Sequence, residues 1–370
     1  MSVYVEDVAQ MLGKNKVNLA EKLTTAARAS GRSPIAIALD FYKLRKQRGK
    51  LKFYEYLMYK LYDRTKWTDD ARSRFISADL HWPTIDKCND RQWWSVTEDK
   101  WLSSSILGAH GIPQPKNAAV FDRSARAYPD VPKLEGAEDL RNFLTTSAEF
   151  PLFAKNLNGM WSAGAVRLSG CTETHVMVDG RDPVTFDDLA TEIFGDRGYL
   201  IQHCVKPHSF FKGITDAVAT VRCVNLITDE GLAVPATVLK LPMGNNVADN
   251  FWRAGNLLCH LDPETGEVLK IVSSRNGDLT YHDTLPGHDR DLVGECLPHW
   301  QALRNVNEQV ARMHAVNRFG STDIALTEDG PVVIEVNNGS AFELVQIATG
   351  QGLLTDEILA FFDSCGVKLQ

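Results

Sequence analysis

Between Val17 and about Phe75 the apolar positions recur every three or four residues: Phe41 and Leu44, then Leu51, Tyr54, Leu57, Met58 and Leu61. That period predicts a helical region, broken only at Gly31, Pro34 and Gly49. Lys43, Arg45, Lys46, Arg48, Lys50, Lys52 and Lys60 fall between the apolar positions, so the helices are basic and amphipathic. Such a segment is either the solvated face of a lobe packed on the rest of the chain or a docking surface for an acidic partner or an anionic lipid. Residues 77–98 lose the periodicity, carry Trp82-Pro83 and Trp93-Trp94, and read as loop.

Strands and helices then alternate. The 3.6-residue period predicts helices over 99–110, 137–146, 186–194 and 298–316, the last with Trp300, Leu303, Val306, Val310 and Met313 along one face. Apolar β-rich runs predict strands at 118–121, 151–155, 165–168 and 199–205. Three further pairs read as hairpins: 218–227 with 232–241, 257–261 with 268–272, and 323–326 with 332–336. Each pair is joined by a polar turn ending in glycine, at Gly231, Gly266 and Gly330. The second half is therefore an antiparallel α+β arrangement.

Composition narrows this picture. A chain of 370 residues exceeds the ~250–300 that one hydrophobic core serves, so two or more lobes are expected. With 44% hydrophobic and 24% charged residues it reads as globular, neither disordered nor collagen-like. A net charge of -7 gives no reason to bind a polyanion, and nucleic acid is not an expected partner. Residues 1–80 nevertheless hold 16 basic and 9 acidic residues, an excess that sets this region apart. Seven scattered cysteines with no Cys-x-x-Cys pair, residues 1–16 without an apolar leader core, and no long apolar run predict a cytoplasmic protein without a membrane span.

Three constellations carry candidate chemistry. Asp323 lies on one strand of the last hairpin, and Glu335 and Asn337 stand two apart on its partner, hence on one face. Two carboxylates and an amide form an all-oxygen set of the kind Mg²⁺ takes, whereas an apolar hairpin would otherwise bury unpaired charge. Lys155 ends a strand before a loop bounded by Gly159 and Gly164, which can offer a cation and backbone N–H groups to phosphate; Ala165-Val166 stand where a P-loop needs Lys-Ser/Thr. Lys100, Arg222 and Lys240 are isolated cations on predicted regular elements, each facing either solvent or an anion.

Taken in order, Asp99-Lys100 before a helix ending at Gly111-Ile112-Pro113, the Lys155 strand with its loop, the Leu200–Val205 strand and the final Asp323…Glu335-x-Asn337 resemble the ATP-grasp superfamily. The chain is most similar to its sugar-transfer-associated group, through Thr220-Val221-Arg222, Asp249-Asn250, Gly255, His260-Leu261-Asp262, Thr265-Gly266, Gln346, Gly350, Gly352 and Leu353. The resemblance implies two α+β lobes clamping ATP, divided here as a helical basic region 1–96, a first lobe 97–205 and a second lobe 206–370. It implies that Lys100 and Lys155 contact phosphates and that the loop with Gly159, Ser162 and Gly164 closes over them. Gln202, His203 and Val205 would form the adenine hinge. Asp323, Glu335 and Asn337 would hold one or two Mg²⁺, or Mn²⁺, and Arg222 and Lys240 would face the transferring phosphoryl group. The chain departs from the family pattern in having Gln202-His203 where hinge acids are common and Lys240 where an arginine is frequent.

The implied reaction activates a carboxylate as an acyl phosphate and joins it to an amine, releasing ADP and phosphate. The partners are then a small-molecule or peptide carboxylate and a nucleophile, with His208 and His260 as candidate substrate contacts. Alternatives on the same site are a hydroxyl nucleophile giving an ester and a phosphotransferase. A nucleotide-binding module without turnover is the alternative of another class.

Overall fold

A computed structural model of the chain describes residues 18–160 and 162–369. The readings of residues 1–16 as free of a leader and of Val17 as the start of the helical region therefore lie outside the described residues, as does Trp161 of the glycine-bounded loop. Among the described residues no helix is long and apolar enough to cross a membrane.

Two sheets organise the molecule. The first contains β1 (Asn117–Phe121), β2 (Lys133–Leu134), β3 (Leu152–Asn156), β4 (Val166–Cys171), β5 (His175–Val178), β6 (Val184–Thr185) and β7 (Tyr199–His203), in the order β2-β1-β7-β3-β4-β5-β6. One face, carrying Ala119, Phe121, Leu152, Ala154, Tyr199 and Ile201, is buried against helix Ala137–Thr146 and the turns of 186–194. The predicted helix over 186–194 begins as α and continues as a π-helix from Leu189 to Phe194.

The second sheet contains β8 (Thr220–Thr228), β9 (Gly231–Leu241), β10 (Leu257–Leu261), β11 (Val268–Arg275), β12 (Asp278–His282), β13 (Phe319–Thr327) and β14 (Gly330–Asn337), in the order β12-β11-β10-β9-β8-β13-β14. All three expected hairpins form, and every pair in this sheet is antiparallel. Asp323 lies in the middle of β13 rather than at its start, because pairing with β8 extends the strand back to Phe319. Helix Trp300–Met313 covers one face through Leu303 and Val310, packed on Val221, Cys223, Leu239, Ile324 and Val333.

The opposite face is covered by helix Phe342–Thr349 together with the basic N-terminal helices. Leu19–Ser30, Pro34–Arg45, Phe53–Met58 and Asp69–Ser73 bury Ile37, Leu44, Leu51, Tyr56, Leu61 and Phe75 in one cluster with Val238, Leu258, Val272, Ile347 and Ala348. Local signals start these helices: Asn18 and Ser33 cap the first two, and Pro34 takes the first helical position, where its missing N–H costs nothing. Residues 77–98, expected as loop, are mostly helical, with His81–Cys88 and Trp94–Glu98 preceded by short 3₁₀ turns. Pro83 falls in the first turn of its helix and so breaks nothing.

The N-terminal region is fastened by Gln346, on helix Phe342–Thr349. Its amide oxygen accepts from Ile76 N at 2.8 Å and Leu353 N at 3.3 Å, while Nε2 donates to Ile76 O at 2.9 Å and Tyr59 Oη at 3.2 Å. Leu354 N also donates to Arg74 O at 2.9 Å. A Cβ at Gly352 would lie 2.5 Å from the Arg74 carbonyl oxygen, so this backbone approach admits only glycine. Beside the clamp, burial together with the Glu55 carboxylate pushes Glu343 up to about 7. An acid whose pKa is raised on folding makes stability fall as pH rises from its unfolded value, near 4.5, through about 7. Glu343→Gln is expected to be more stable than the parent at pH 8, by on the order of 2 kcal/mol, and to lose that advantage near pH 4.5. Unfolding midpoints measured across this range check it.

Candidate active site

The second sheet assembles a row of charge by register alone. Asp323 is directly opposite Glu335 on β14 and Arg222 on β8, and Thr220 on β8 is opposite Lys240 on β9. Directly opposed antiparallel residues share a face, so these side chains meet on the face opposite helix Trp300–Met313. Arg222 Nε and Nη2 each donate to one oxygen of Asp323 at 2.7 Å, and Lys240 Nζ reaches Asp323 Oδ2 at 3.0 Å. Lys240 also pairs with Asp249 Oδ2 at 2.9 Å, and Thr220 Oγ1 donates to the same carboxylate.

Asp323 is 2% exposed. Burial alone would raise its pKa, but Arg222 and then Lys240 outweigh that and hold the carboxyl well below the usual range. Two cations and two acids thus leave the water together in one chain of pairs, Arg222–Asp323–Lys240–Asp249. This network is the physical reason that charged residues stand in otherwise apolar strands.

Two lysines from the other side of the cleft reach β14. Lys100 opens helix Lys100–Ala109, capped by Asp99, whose carboxylate accepts from Trp101 N and Leu102 N. Its Nζ lies 3.0 Å from Glu335 Oε1 and donates to Gly159 O at 2.7 Å. A bulge between Asp323 and Ile324 leaves Ile334 out of register, and Lys155 Nζ, from β3, donates to the Ile334 carbonyl at 3.3 Å. Burial pushes the Lys155 ammonium down to about 8, with Glu335 opposing the shift and Lys100 adding to it. Glu335 in turn would be raised by burial but is lowered on balance, chiefly by Lys100.

Lys100, Lys155, Ile334 and Glu335 border a narrow cleft between the sheets, also lined by Ser103, Ser104, Leu107, Gln114, Pro115, Gln202 and Val333. Gln202 projects into it, with Nε2 donating to Asn117 Oδ1 at 2.8 Å. His203, adjacent on β7, points to the face of Ile201 that the helices cover, because successive strand side chains alternate. Neither the His203 nor the Val205 side chain lines the cleft. The β3–β4 connection carries Gly159, Ser162 and Gly164, with Ser162 at φ 56° and Gly164 at φ 71°. Asn337 stands opposite Ser321, and its Nδ2 is buried without a hydrogen-bond partner.

The two candidate histidines lie elsewhere. His208 is held in a turn, with Nδ1 accepting from Phe210 N at 2.9 Å and Nε2 3.4 Å from Glu328. His260 is on β10, opposite Lys270 and two strands from Arg222. Asp249 was legible only as part of a motif, yet it is the second acid of the network.

The oxygen set fits a divalent cation by its chemistry. Asp323 and Glu335 face each other in ionised form, and turning the Asn337 amide would replace an orphaned N–H by an oxygen donor. Among the described residues no group of three or more His, Cys, Asp or Glu forms a cage. A set of two acids and one amide leaves coordination positions for water or phosphate.

The family model for sugar-transfer associated ATP-grasp proteins matches residues 83–359. Similar solved structures include D-alanyl-alanine synthetase A from Vibrio cholerae, 13% identical over 73% of this chain and 64% of that one, with a TM-score of 0.41. An L-amino acid ligase from Bacillus licheniformis is 14% identical over 68% of this chain and 42% of its own, with a TM-score of 0.34. N5-carboxyaminoimidazole ribonucleotide synthetase, in its ADP complex, is 11% identical over 66% and 46% of the two chains, with a TM-score of 0.38. The chain thus spans less than two thirds of the length of each. No curated protein matches.

The buried network makes a stability prediction independent of activity. Asp323→Ala would leave Arg222 buried and without its acid, and is expected to cost about 3–5 kcal/mol. Lys240→Met keeps the bidentate Arg222–Asp323 pair and should cost clearly less. Denaturant unfolding of both variants checks the order.

Proposed function

Since the chain belongs to the sugar-transfer associated ATP-grasp family and has its α+β fold, we propose that it is an ATP- and Mg²⁺-dependent ligase that joins a carboxylate to an amine, releasing ADP and phosphate. The observation that carries this reading is the convergence of Lys100 and Lys155 on Glu335 and the Ile334 carbonyl, facing the Arg222–Asp323–Lys240 network. Cations from both sides of a cleft are what phosphoryl transfer asks of a protein, since charge spreads over the moving phosphoryl oxygens.

In this reading adenine lies against Leu107, Pro115 and Val333. Gln202, its Nε2 committed to Asn117, turns its oxygen toward the adenine amine, and the main chain of His203 to Val205 supplies the rest of the hinge. Lys100 and Lys155 bind the phosphates, and the loop of Gly159, Ser162 and Gly164 covers them. Asp323, Glu335 and Asn337 hold Mg²⁺, which when bound neutralises phosphate charge. Arg222 and Lys240 stand beside it, where they orient the acceptor carboxylate and the γ-phosphoryl group. A carboxylate oxygen attacks the γ-phosphorus, the bond to the β-phosphate oxygen breaks, and ADP leaves. The amine then attacks the acyl carbon, phosphate departs with the bonding pair, and the amine proton passes to phosphate or water.

A panel of carboxylates and amines with Mg-ATP tests the reaction. ADP and phosphate should appear together, dependent on the carboxylate, and hydroxylamine should trap a hydroxamate. AMP with pyrophosphate would overturn the reading, and an ester product would replace the amine by a hydroxyl. Glu335→Gln is expected to lower kcat by at least about 10²-fold while the unfolding midpoint changes little.

A further inference from the structure

The basic N-terminal region presents an outer face that the catalytic cleft does not use. On helix Pro34–Arg45 the inward side is Ile37 and Leu44, buried in the core. The outward side carries Ile35, Leu39 and Tyr42, which are 74%, 59% and 56% exposed. These positions are four and three residues apart, one stripe along a single helix face. Large apolar residues exposed singly are ordinary; three in line on one helix are not.

The charge around the stripe is one-sided. From residue 41 to residue 52 the chain has six basic residues and no acid. Lys52 pairs with Asp79 at 2.6 Å, whereas Lys43, Arg45, Lys46, Arg48 and Lys50 are exposed and make no ion pair with a described residue. Lys46 Nζ lies 4.3 Å from the centre of the Tyr42 ring, so cation and apolar surface are interleaved at the end of the helix.

We infer that this face docks the protein on an anionic membrane surface, the stripe of Ile35, Leu39 and Tyr42 entering the headgroup boundary while the lysines and arginines meet lipid phosphates. The shape favours a bilayer over a peptide. Among the described residues the three side chains stand out from the helix, more than half exposed, so they suit a soft plane. Helix Pro34–Arg45 is apolar on its outward side as well as on its buried one; the clustered basic residues supply the electrostatic half of such binding, and the exposed apolar residues supply the other.

The test uses the full chain with vesicles of phosphatidylcholine alone and of phosphatidylcholine with about one-third phosphatidylglycerol. The protein should sediment with the anionic vesicles, not the neutral ones, and raised salt should release it. The double variants Ile35→Ser/Leu39→Ser and Lys43→Glu/Lys46→Glu should each weaken partitioning about tenfold or more with unchanged circular dichroism and unfolding midpoint. Equal partitioning to both vesicle types, or binding that survives charge reversal, would overturn the proposal. So would loss of binding in the lysine variant alone, which would remove the insertion. A concentration-dependent dimer abolished by Ile35→Ser/Leu39→Ser, without vesicle binding, would assign the face to a second copy. Binding to polyglutamate in place of vesicles would assign it to an acidic protein.

Discussion

The buried pairing of Asp323 with Arg222 and Lys240 is the constraint around which the rest is arranged. Removing these charges from water is affordable only if each finds its opposite at hydrogen-bond distance, and that requires β9, β8 and β13 to lie side by side in one register. A slip by one residue would send Asp323 to the apolar face beneath helix Trp300–Met313. The same register sets Glu335 opposite Asp323, and the bulge at Ile334 frees the carbonyl that receives Lys155. Charge pairing within the second sheet thereby decides where Lys155 of the first sheet and Lys100 of helix Lys100–Ala109 can land.

The N-terminal helices belong to this arrangement, not to an appendage. The face that carries the charged row is apolar across β9, β10 and β11, at Val238, Leu258 and Val272, and those residues share one cluster with Ile347 and Ala348 of helix Phe342–Thr349 and with the N-terminal helices. Helix Phe342–Thr349 lies at the junction, continuing the chain from Asn337 and presenting Gln346 to Ile76 and Tyr59. Three of that buried amide's hydrogen bonds, with Ile76 N, Ile76 O and Tyr59 Oη, hold two distant parts of the chain together, and the fourth, with Leu353 N, is local.

Much of this was legible in the sequence where local rules suffice. The three hairpins followed from alternating apolar runs closed by Gly231, Gly266 and Gly330, and the same alternation sets Glu335 and Asn337 on one face. Arg222 and Lys240 stood out as charges within apolar strands. What stayed hidden depends on tertiary contacts or on a phase that a short run does not reveal. The helices of residues 77–98 are held by packing of Ile85 and Cys88 under Phe319 and Phe342, and Pro83 disguised their start. Gln202 and His203 are neighbours in sequence, but which of them faces the cleft depends on the pairing of β7 with β1 and β3. Gln346 and Gly352 were visible only as a resemblance, and their packing role appears once Ile76 and Arg74 lie against them.

The Gln346 clamp also bears on the order in which the protein is made. Its two halves, Ile76 and Gln346, are 270 residues apart, so the N-terminal helices leave the ribosome long before the sheet they cover exists. At about 5–20 residues per second that interval is on the order of tens of seconds, during which Leu51, Tyr56 and Phe75 have each other and their aromatic neighbours but not the sheet and helix they finally pack on. The basic residues between them leave the waiting segment charged, and the N-terminal region gains its last contacts from the final tenth of the chain.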